Sequence, residues 1–325
     1  MTLRITEPGV YLNMPTTDYF VDPCPEPSLT QSIAKVLIEY SPAHARLEHP
    51  RLVAATGFTG LIAPIQEDGE EKYDADKAIG SAAHAIITGR GRDLAVGEFD
   101  AWRGGDAKEF KTEALKAGRI IVLRKHFERA HEMVQLAREQ LHGTEHETAF
   151  APGNGDGEVV LAWAEDDIWL RTMIDWRGRP APRYYDYKTT GLCCAPHVVE
   201  DRPGELGWDV QGAMHQRGLD ALEPENIGRR EFFFVNQENW PPFALTVVRL
   251  SEADLTLGRK KLAVAADMWR TCMATGSWPG YPRSTVLSHP RGWTESQWLE
   301  REVRIAEQAS RPRRREPMLT DLSGG

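Results

Sequence analysis

The segment from Arg171 to Thr190, RTMIDWRGRPAPRYYDYKTT, constrains the fold more than any other part of this 325-residue chain. Two runs rich in β-branched and aromatic residues flank a stretch rich in Gly and Pro, which is the composition of two strands joined by a turn. A turn centred between Pro180 and Ala181 places Asp175 opposite Asp186. Opposed residues have Cβ atoms roughly 4.5–5.5 Å apart, where like charges are destabilising unless something neutralises them. The hairpin therefore predicts a bound divalent metal, with an exposed hairpin of solvated charges as the alternative.

Strand periodicity adds further charged side chains to this pair. Lys188 falls on the face of Asp186, and the tyrosines on either side of Asp186 fall on the opposite face. The preceding segment GEVVLAW contains Glu158, and a turn at the following EDD run would bring Glu158 opposite Met173, on the same face. This prediction rests on the alternation of faces rather than on the partners, because a slip of one residue would move a whole strand to the other side.

These residues resemble the PD-(D/E)xK nucleases, in the branch of RecE-like (exodeoxyribonuclease VIII type) and RecB-like exonucleases. That branch has a histidine in a helix before the core, a glutamate, an aspartate at a strand end, a D-x-K on the next strand and a glutamine on the following helix. The matching residues, in the same order, are His84 in IGSAAHAIITG, Glu158, Asp175 in MIDW, Asp186 and Lys188 in YDYKTT, and Gln211 in DVQGAMHQRGL. The segment SLTQSIAKVLIEYSPAHARLEHP also resembles the opening of RecE-type phage and prophage exonucleases, so the resemblance covers roughly residues 28–283.

The resemblance and the ligand types imply a Mg²⁺ or Mn²⁺ site, since both ions prefer hard oxygen ligands. Asp175 and Asp186 are the expected ligands. Glu158 would complete the site as a ligand to a second metal, directly or through water, with a solvent-facing strand glutamate as the alternative. His84 corresponds to the histidine that approaches the metal, with an ordinary packing role as the alternative. Lys188 would orient or polarise the attacking water and balance charge on the phosphate.

Three further residues are candidate substrate contacts. Gln211, by resemblance, supports the site or touches the scissile strand, with an ordinary polar helix position as the alternative. His215 lies four residues later on the same helix face, where many members of the family have a tyrosine whose role does not carry over. Arg171 shares the face of Asp175, so it could contact a phosphate or instead satisfy neighbouring acids.

The implied activity is a Mg²⁺-dependent DNA exonuclease that degrades linear duplex from its ends, 5′ to 3′, and leaves single strands for annealing recombination. The implied partners are double-stranded DNA ends, a single-strand annealing protein and further copies of the chain in a ring. An endonuclease or a single-strand-specific nuclease on the same core is one alternative. A DNA-binding or assembly protein that has lost activity is the other, and the intact set of Asp175, Asp186 and Lys188 argues against it.

Charge, cysteine spacing and hydropathy limit the expected cellular location and metal chemistry but do not decide the function. The net charge of −9 neither supports nor excludes a nuclease, because a local basic groove can coexist with an acidic exterior. The four cysteines include no C-x-x-C unit, so we expect ordinary thiols rather than an iron–sulfur cluster. The N-terminus has neither a basic opening nor a continuous apolar stretch, and no window approaches ~18 apolar residues, so we expect a cytoplasmic protein without a membrane span.

The pattern of periodicities predicts an α-rich front, a β core and an α-rich back. Helices are predicted at 28–39, 74–88, 107–117, 125–141, 208–219, 251–274 and 294–308, and strands at 146–150, 158–163, 169–176, 183–189, 230–237 and 244–250. This order matches an α/β fold of the PD-(D/E)xK type, with a mixed central sheet flanked by helices and with helical N- and C-terminal elaborations. We expect a helical elaboration packed on the core at 1–145, the core at 146–250, C-terminal helices at 251–309 and a mobile basic tail at 310–325, all in one structural unit.

Overall fold

A computed structural model describes residues 3–54 and 73–310, with side chains up to residue 307. The chain divides after Tyr281 into two compact units. The helices of the larger unit are α1 Thr16–Phe20, α2 Gln31–Glu39, α3 Pro42–Glu48, α4 Pro50–Ala54, α5 Ala75–Thr88, α6 Gly105–Lys116, α7 Arg124–Leu141, α8 Pro196–Val199, α9 Pro203–Leu206, α10 Trp208–Leu222 and α11 Glu252–Thr275. Its strands are β1 Gly9–Tyr11, β2 Ser28–Leu29, β3 Leu94–Gly97, β4 Ile120–Leu123, β5 Gly155–Glu165, β6 Ile168–Gly178, β7 Arg183–Thr190, β8 Glu231–Glu238 and β9 Leu245–Arg249.

The central sheet is mixed and mostly antiparallel, in the order β1-β5-β6-β7-β8-β9. The β7–β8 pair is parallel, as is the short pairing of β2 with the start of β6, and the other pairs are antiparallel. Strands β3 and β4 form a separate parallel pair. On one side of β6, β2 pairs at Trp169–Leu170 and β7 pairs at Trp176–Arg177, so the stretch between these pairings belongs to neither ladder.

Helices cover both faces of the sheet. On one face, α2, α10 and α11 pack against β5, β6 and β8 in a cluster whose largest buried side chains are Trp163 and Trp269. On the other face, α5 and α7 pack over Tyr185 and Tyr187 of β7. Burying one large apolar side chain stabilises the folded state by roughly 1.5–3 kcal/mol. The two clusters together therefore hold α5 and α10 against opposite faces of β7.

Local sequence signals explain where the helices begin. Asp74 accepts a hydrogen bond from the Lys77 N–H and caps α5, and Ser251 forms a reciprocal capping box with Asp254 at the start of α11. Both starts agree with the predicted ones. Helix α2 begins after Thr30 rather than at Ser28, because residues 28 and 29 pair with β6.

The strand predicted at 146–150 is wrong. This stretch is a series of turns, in which the Ala149 N–H donates to His146 O at 2.9 Å. Phe150 has a φ of +57°, which is incompatible with a strand, and its ring packs against Trp176 and Tyr185. The apolar residues that suggested a strand therefore fill the core from a turn.

The second unit contains helix α12, Gly292–Ser310. The division between the two units falls between α11 and α12, in the stretch rich in Gly and Pro that separates them. The predicted basic tail lies outside the described residues from 311 onward. Among the helices that the structure describes, none is both long enough and apolar enough to cross a bilayer.

Candidate active site

Asp175 lies at the point where β6 and β7 separate. The two strands pair at Trp176–Tyr185 and Arg177–Tyr184, which is the predicted register, and the next step of this register is Asp175–Asp186. The ladder ends before that step. Instead, the Asp175 carboxylate accepts a hydrogen bond from the Tyr187 N–H at 2.9 Å, so a side chain replaces the backbone contact between the strands. Asp175 and Asp186 thus both lie where the hydrogen-bonded ladder between β6 and β7 ends.

Glu158 lies across from Asp175 in the β5–β6 register rather than across from Met173. The flanking pairs are Gly157–Trp176 and Val159–Ile174, and Met173 pairs with Val160. The correction arises because the hairpin closes at Glu165–Ile168, which shifts the predicted register by two residues and leaves the face unchanged. Glu158 has a φ of +49°, a strained conformation for a residue with a side chain. Such strain is typical of functional sites.

His84 on α5 contacts both of these acids. Its Nε2 lies 2.9 Å from Asp175 Oδ2, and its Nδ1 lies 3.9 Å from Glu158 Oε1. Burial disfavours the imidazolium, but the charges of Asp175, Asp186 and Glu158 outweigh it and raise the pKa of His84 to about 9. The protonation of His84 therefore depends on the charges of these three acids.

Glu158 is held from a second direction by helix α1. The Thr16 hydroxyl donates a hydrogen bond to Glu158 Oε2 at 2.6 Å. Burial raises the pKa of Glu158, and this hydrogen bond and the neighbouring His84 only partly offset the increase. The carboxylate is thus positioned by two elements that lie far from it in the sequence.

Asp186 and Lys188 form a tight ion pair on β7, with Lys188 Nζ against Asp186 Oδ1. Burial raises the pKa of Asp186, but the Lys188 charge and His215 outweigh it, so the net shift is strongly downward. Burial also opposes the charge on Lys188, yet Asp186 and Asp175 raise its pKa above the usual value. Both groups are therefore ionised at neutral pH.

Gln211 and His215 reach Asp186 from α10. Gln211 Nε2 donates a hydrogen bond to Asp186 Oδ2, and His215 Nε2 lies 3.9 Å from the same oxygen. His215 Nδ1 lies 2.9 Å from the hydroxyl of Thr172 on β6. His215 is only 3% exposed, and in this structure its side chain contacts Asp186 and Thr172 rather than the cleft.

Arg171, the predicted substrate contact on β6, is paired with a neighbouring acid. Its side chain is buried, with Nη1 2.9 Å from Asp22 Oδ1 and also contacting Ser28. Its guanidinium lies over the Tyr19 ring, 5.2 Å from the centroid. The second predicted role, satisfying a neighbouring acid, describes what the structure shows.

A cleft of about 620 Å³ opens over this group of side chains. His84, Glu158, Asp175 and Lys188 line it together with Thr16, Phe20, Lys77 and Arg92. Asp186 lies behind Lys188 with 3% of its surface exposed. The cleft therefore gives a substrate access to the predicted metal ligands of three different elements.

The donor set fits a hard divalent cation. Asp186 Oδ1 is buried and, within the described residues, accepts no hydrogen bond of normal geometry, although the Lys188 ammonium lies against it. In the same part of the chain, no group of three or more His, Cys, Asp or Glu side chains is already arranged as a metal cage. Mg²⁺ does not require one, because it keeps several waters and binds through one or two carboxylates plus substrate phosphates.

Sequence reasoning missed the residues that support the site from a distance. Thr16 lies in a five-residue helix that is too short to show an amphipathic pattern. Thr172 lies in β6 among other residues that favour strands, so its composition alone does not mark it. Their partners, Glu158 and His215, are 142 and 43 residues away. A single sequence offers no signal that would connect such pairs.

Comparisons with known proteins bear on the fold. No protein-family model matches this chain. No curated protein matches it either. Among solved structures, the chain is similar to a crystal structure from Eubacterium rectale of a "putative exonuclease", with a TM-score of 0.51 and 12% sequence identity, over 83% of this chain and 92% of that one. At this identity the likeness shows a shared α/β fold.

Proposed function

We propose that this protein is a metal-dependent nuclease of the PD-(D/E)xK type that hydrolyses phosphodiester bonds in DNA. The observation that carries the proposal is the meeting of Asp175 with the Asp186–Lys188 pair where β6 and β7 separate. His84 joins them from α5 and Glu158 from β5. The fold shared with the "putative exonuclease" structure supports the same class of activity.

Mg²⁺ or Mn²⁺ would be held by Asp175 and Asp186, with Glu158 and His84 completing the site. When bound, the metal supplies a water of lowered pKa and neutralises charge on the phosphate and the leaving oxygen. Lys188 remains an ammonium and lines the cleft, so it can donate a hydrogen bond to the attacking water or to a phosphate oxygen. Gln211 and His215 hold the Asp186 carboxylate in its orientation.

The specific activity that we propose is exonucleolytic degradation of linear duplex DNA from its ends, 5′ to 3′, to produce single strands for annealing recombination. The polarity, the annealing-protein partner, the homo-oligomeric ring, the cytoplasmic setting and the phage or prophage context all follow from the resemblance of the motifs. The exonuclease activity is also consistent with the structural neighbour.

The test incubates the protein with linear and circular duplex DNA, the linear form labelled separately at each end, with and without Mg²⁺. We expect metal-dependent loss of linear DNA from its 5′ ends while circles survive. Asp186→Asn should stop hydrolysis and leave DNA binding measurable. Asp209→Asn is the matched control, because Asp209 is also a buried aspartate paired with a lysine, Lys261, but on the far side of α10 packed against α11. Cut circles would identify an endonuclease, and full activity in Asp186→Asn would refute the site.

A further inference from the structure

Phe20 is an aromatic side chain that the proposed chemistry does not use. Its ring is 55% exposed and lines the same cleft as Glu158 and Asp175. Single exposed apolar residues are common on protein surfaces and carry no meaning alone. Phe20 differs because its position beside the candidate metal ligands is fixed by other contacts.

Helix α1 holds Phe20 at this position through two anchors. Thr16, one turn earlier, donates its hydrogen bond to the site residue Glu158. Tyr19 is buried, packs edge-on against Phe20 with 5.5 Å between the ring centroids, and lies under the Arg171 guanidinium. The backbone of Phe20 is therefore fixed relative to the metal ligands while its ring faces the cleft.

Two cations that the proposed chemistry does not use, Lys77 and Arg92, line the cleft together with this ring. Lys77 lies on α5, seven residues before His84 and so on the same side of the helix. Arg92 is oriented by a hydrogen bond from its Nε to Gly118 O at 2.8 Å. Within residues 3–54 and 73–310, neither Lys77 nor Arg92 forms an ion pair with a carboxylate, and both side chains line the cleft.

The geometry points to a subsite for an unpaired nucleotide in this cleft, with Phe20 stacking on the base and Lys77 and Arg92 binding phosphates of the same strand. An exposed aromatic face beside cationic side chains is the combination that grips single-stranded nucleic acid without reading its sequence. This inference rests on the proposed nuclease function and adds to it that the strand enters the cleft unpaired at the site of cleavage.

Binding is measured by fluorescence anisotropy in EDTA, which prevents cleavage, using a short labelled thymidine oligonucleotide and an abasic oligonucleotide of equal length. Phe20→Leu keeps apolar bulk and removes the aromatic face. We expect it to weaken binding of the thymidine strand about five- to a hundredfold and to leave the abasic strand unaffected. Phe20→Trp should restore thymidine binding.

The matched control is Tyr40→Leu, because Tyr40 is also 55% exposed but does not line the cleft. It should bind both oligonucleotides as the unmodified protein does. For the cations, Lys77→Gln should lower the slope of log affinity against log salt by about 0.7, the value expected when a protein neutralises one phosphate fewer on a single strand. Lys260→Gln, at an exposed position of α11, should leave the slope unchanged.

The outcomes separate this inference from the nuclease proposal. Hydrolysis of DNA by the unmodified protein, together with unchanged thymidine binding by Phe20→Leu, would overturn the subsite and leave the nuclease standing. Equal weakening on the thymidine and abasic strands would also overturn it, since the Phe20 ring would then be binding something other than a base. A protein that neither binds nor cleaves DNA would refute the proposed function itself.

Discussion

His84 Nε2 lies 2.9 Å from Asp175 Oδ2, which joins helix α5 to strand β6 across the candidate site. Without a metal, the imidazolium is the cation in direct contact with this carboxylate, because the pKa of His84 is raised to about 9. A metal bound by Asp175 would take over that role, and a metal bound by His84 as well would require its proton to leave.

The stability of the metal-free protein should therefore fall between pH 6.5 and about 9. A histidine whose pKa is raised on folding adds stability that is fully present below its unfolded pKa and is lost as the pH rises through its folded pKa. The contribution to the free energy of unfolding is at most about 3–4 kcal/mol for the shift of the His84 pKa from 6.5 to about 9. Urea denaturation in EDTA should show this decline in the unmodified protein, and His84→Gln should show a flatter curve over the same range. Parallel curves for the two proteins would contradict the pairing.

Mg²⁺ should stabilise the folded protein in the absence of DNA. Binding of Mg²⁺ to the native state alone adds about 1.4 kcal/mol to the free energy of unfolding at a metal concentration ten times the dissociation constant. Thermal denaturation with increasing Mg²⁺ should raise the melting temperature of the unmodified protein, because the cation relieves repulsion between Asp175, Asp186 and Glu158. The increase should vanish in Asp175→Asn. An equal increase in both proteins would mean that the metal binds elsewhere.

Lys188 should contribute to cleavage beyond its role in the fold, and a second lysine allows the two roles to be separated. Lys188 pairs with buried Asp186, and Lys261 pairs with buried Asp209 at 2.6 Å; the two lysine side chains are 33% and 29% exposed. Lys188→Met and Lys261→Met each leave a buried carboxylate without its partner, so both variants should be less stable than the unmodified protein. Only Lys188→Met should also slow single-turnover cleavage, by about a hundredfold or more.

Both variants are assayed at a temperature where circular dichroism shows them folded. Equal cleavage rates for Lys188→Met and Lys261→Met would remove Lys188 from the mechanism.

Short-range sequence signals predicted the centre of the site well. The Gly- and Pro-rich turn fixed the register of β6 and β7, because such a turn leaves few ways to close a hairpin. The position of Glu158 was correct in face and wrong in partner, since the EDD run allows the turn to close at more than one place. The caps Asp74 and Ser251 were likewise readable from local composition.

Long-range contacts were beyond the reach of a single sequence. Arg171 lies on the same face of β6 as Asp175, yet its partner Asp22 lies in the N-terminal segment. Nothing in the sequence spacing connects Arg171 with Asp22. The same is true of Thr16 and Glu158. Face alternation predicts which side of a strand a residue occupies, but what covers that side depends on where distant segments pack.

Arg171 should therefore matter for stability and not for DNA. The Asp22 carboxylate is fully buried; the Arg171 charge compensates it, and His49 Nε2 lies 3.1 Å from Oδ2. Burial raises the pKa of Asp22, but the hydrogen bond from His49 and the Arg171 charge outweigh it and lower the pKa overall. Arg171→Met removes one of these partners and should cost about 3–5 kcal/mol of unfolding free energy, as for other broken buried pairs.

Urea denaturation measures this loss, and the double variant Asp22→Asn with Arg171→Met should recover part of it, because no charge is then left buried. At a temperature where Arg171→Met remains folded, its affinity for DNA and its cleavage rate should equal those of the unmodified protein. Normal stability together with weakened DNA binding would return Arg171 to the substrate contacts, and would mean that its buried pair with Asp22 opens when DNA binds.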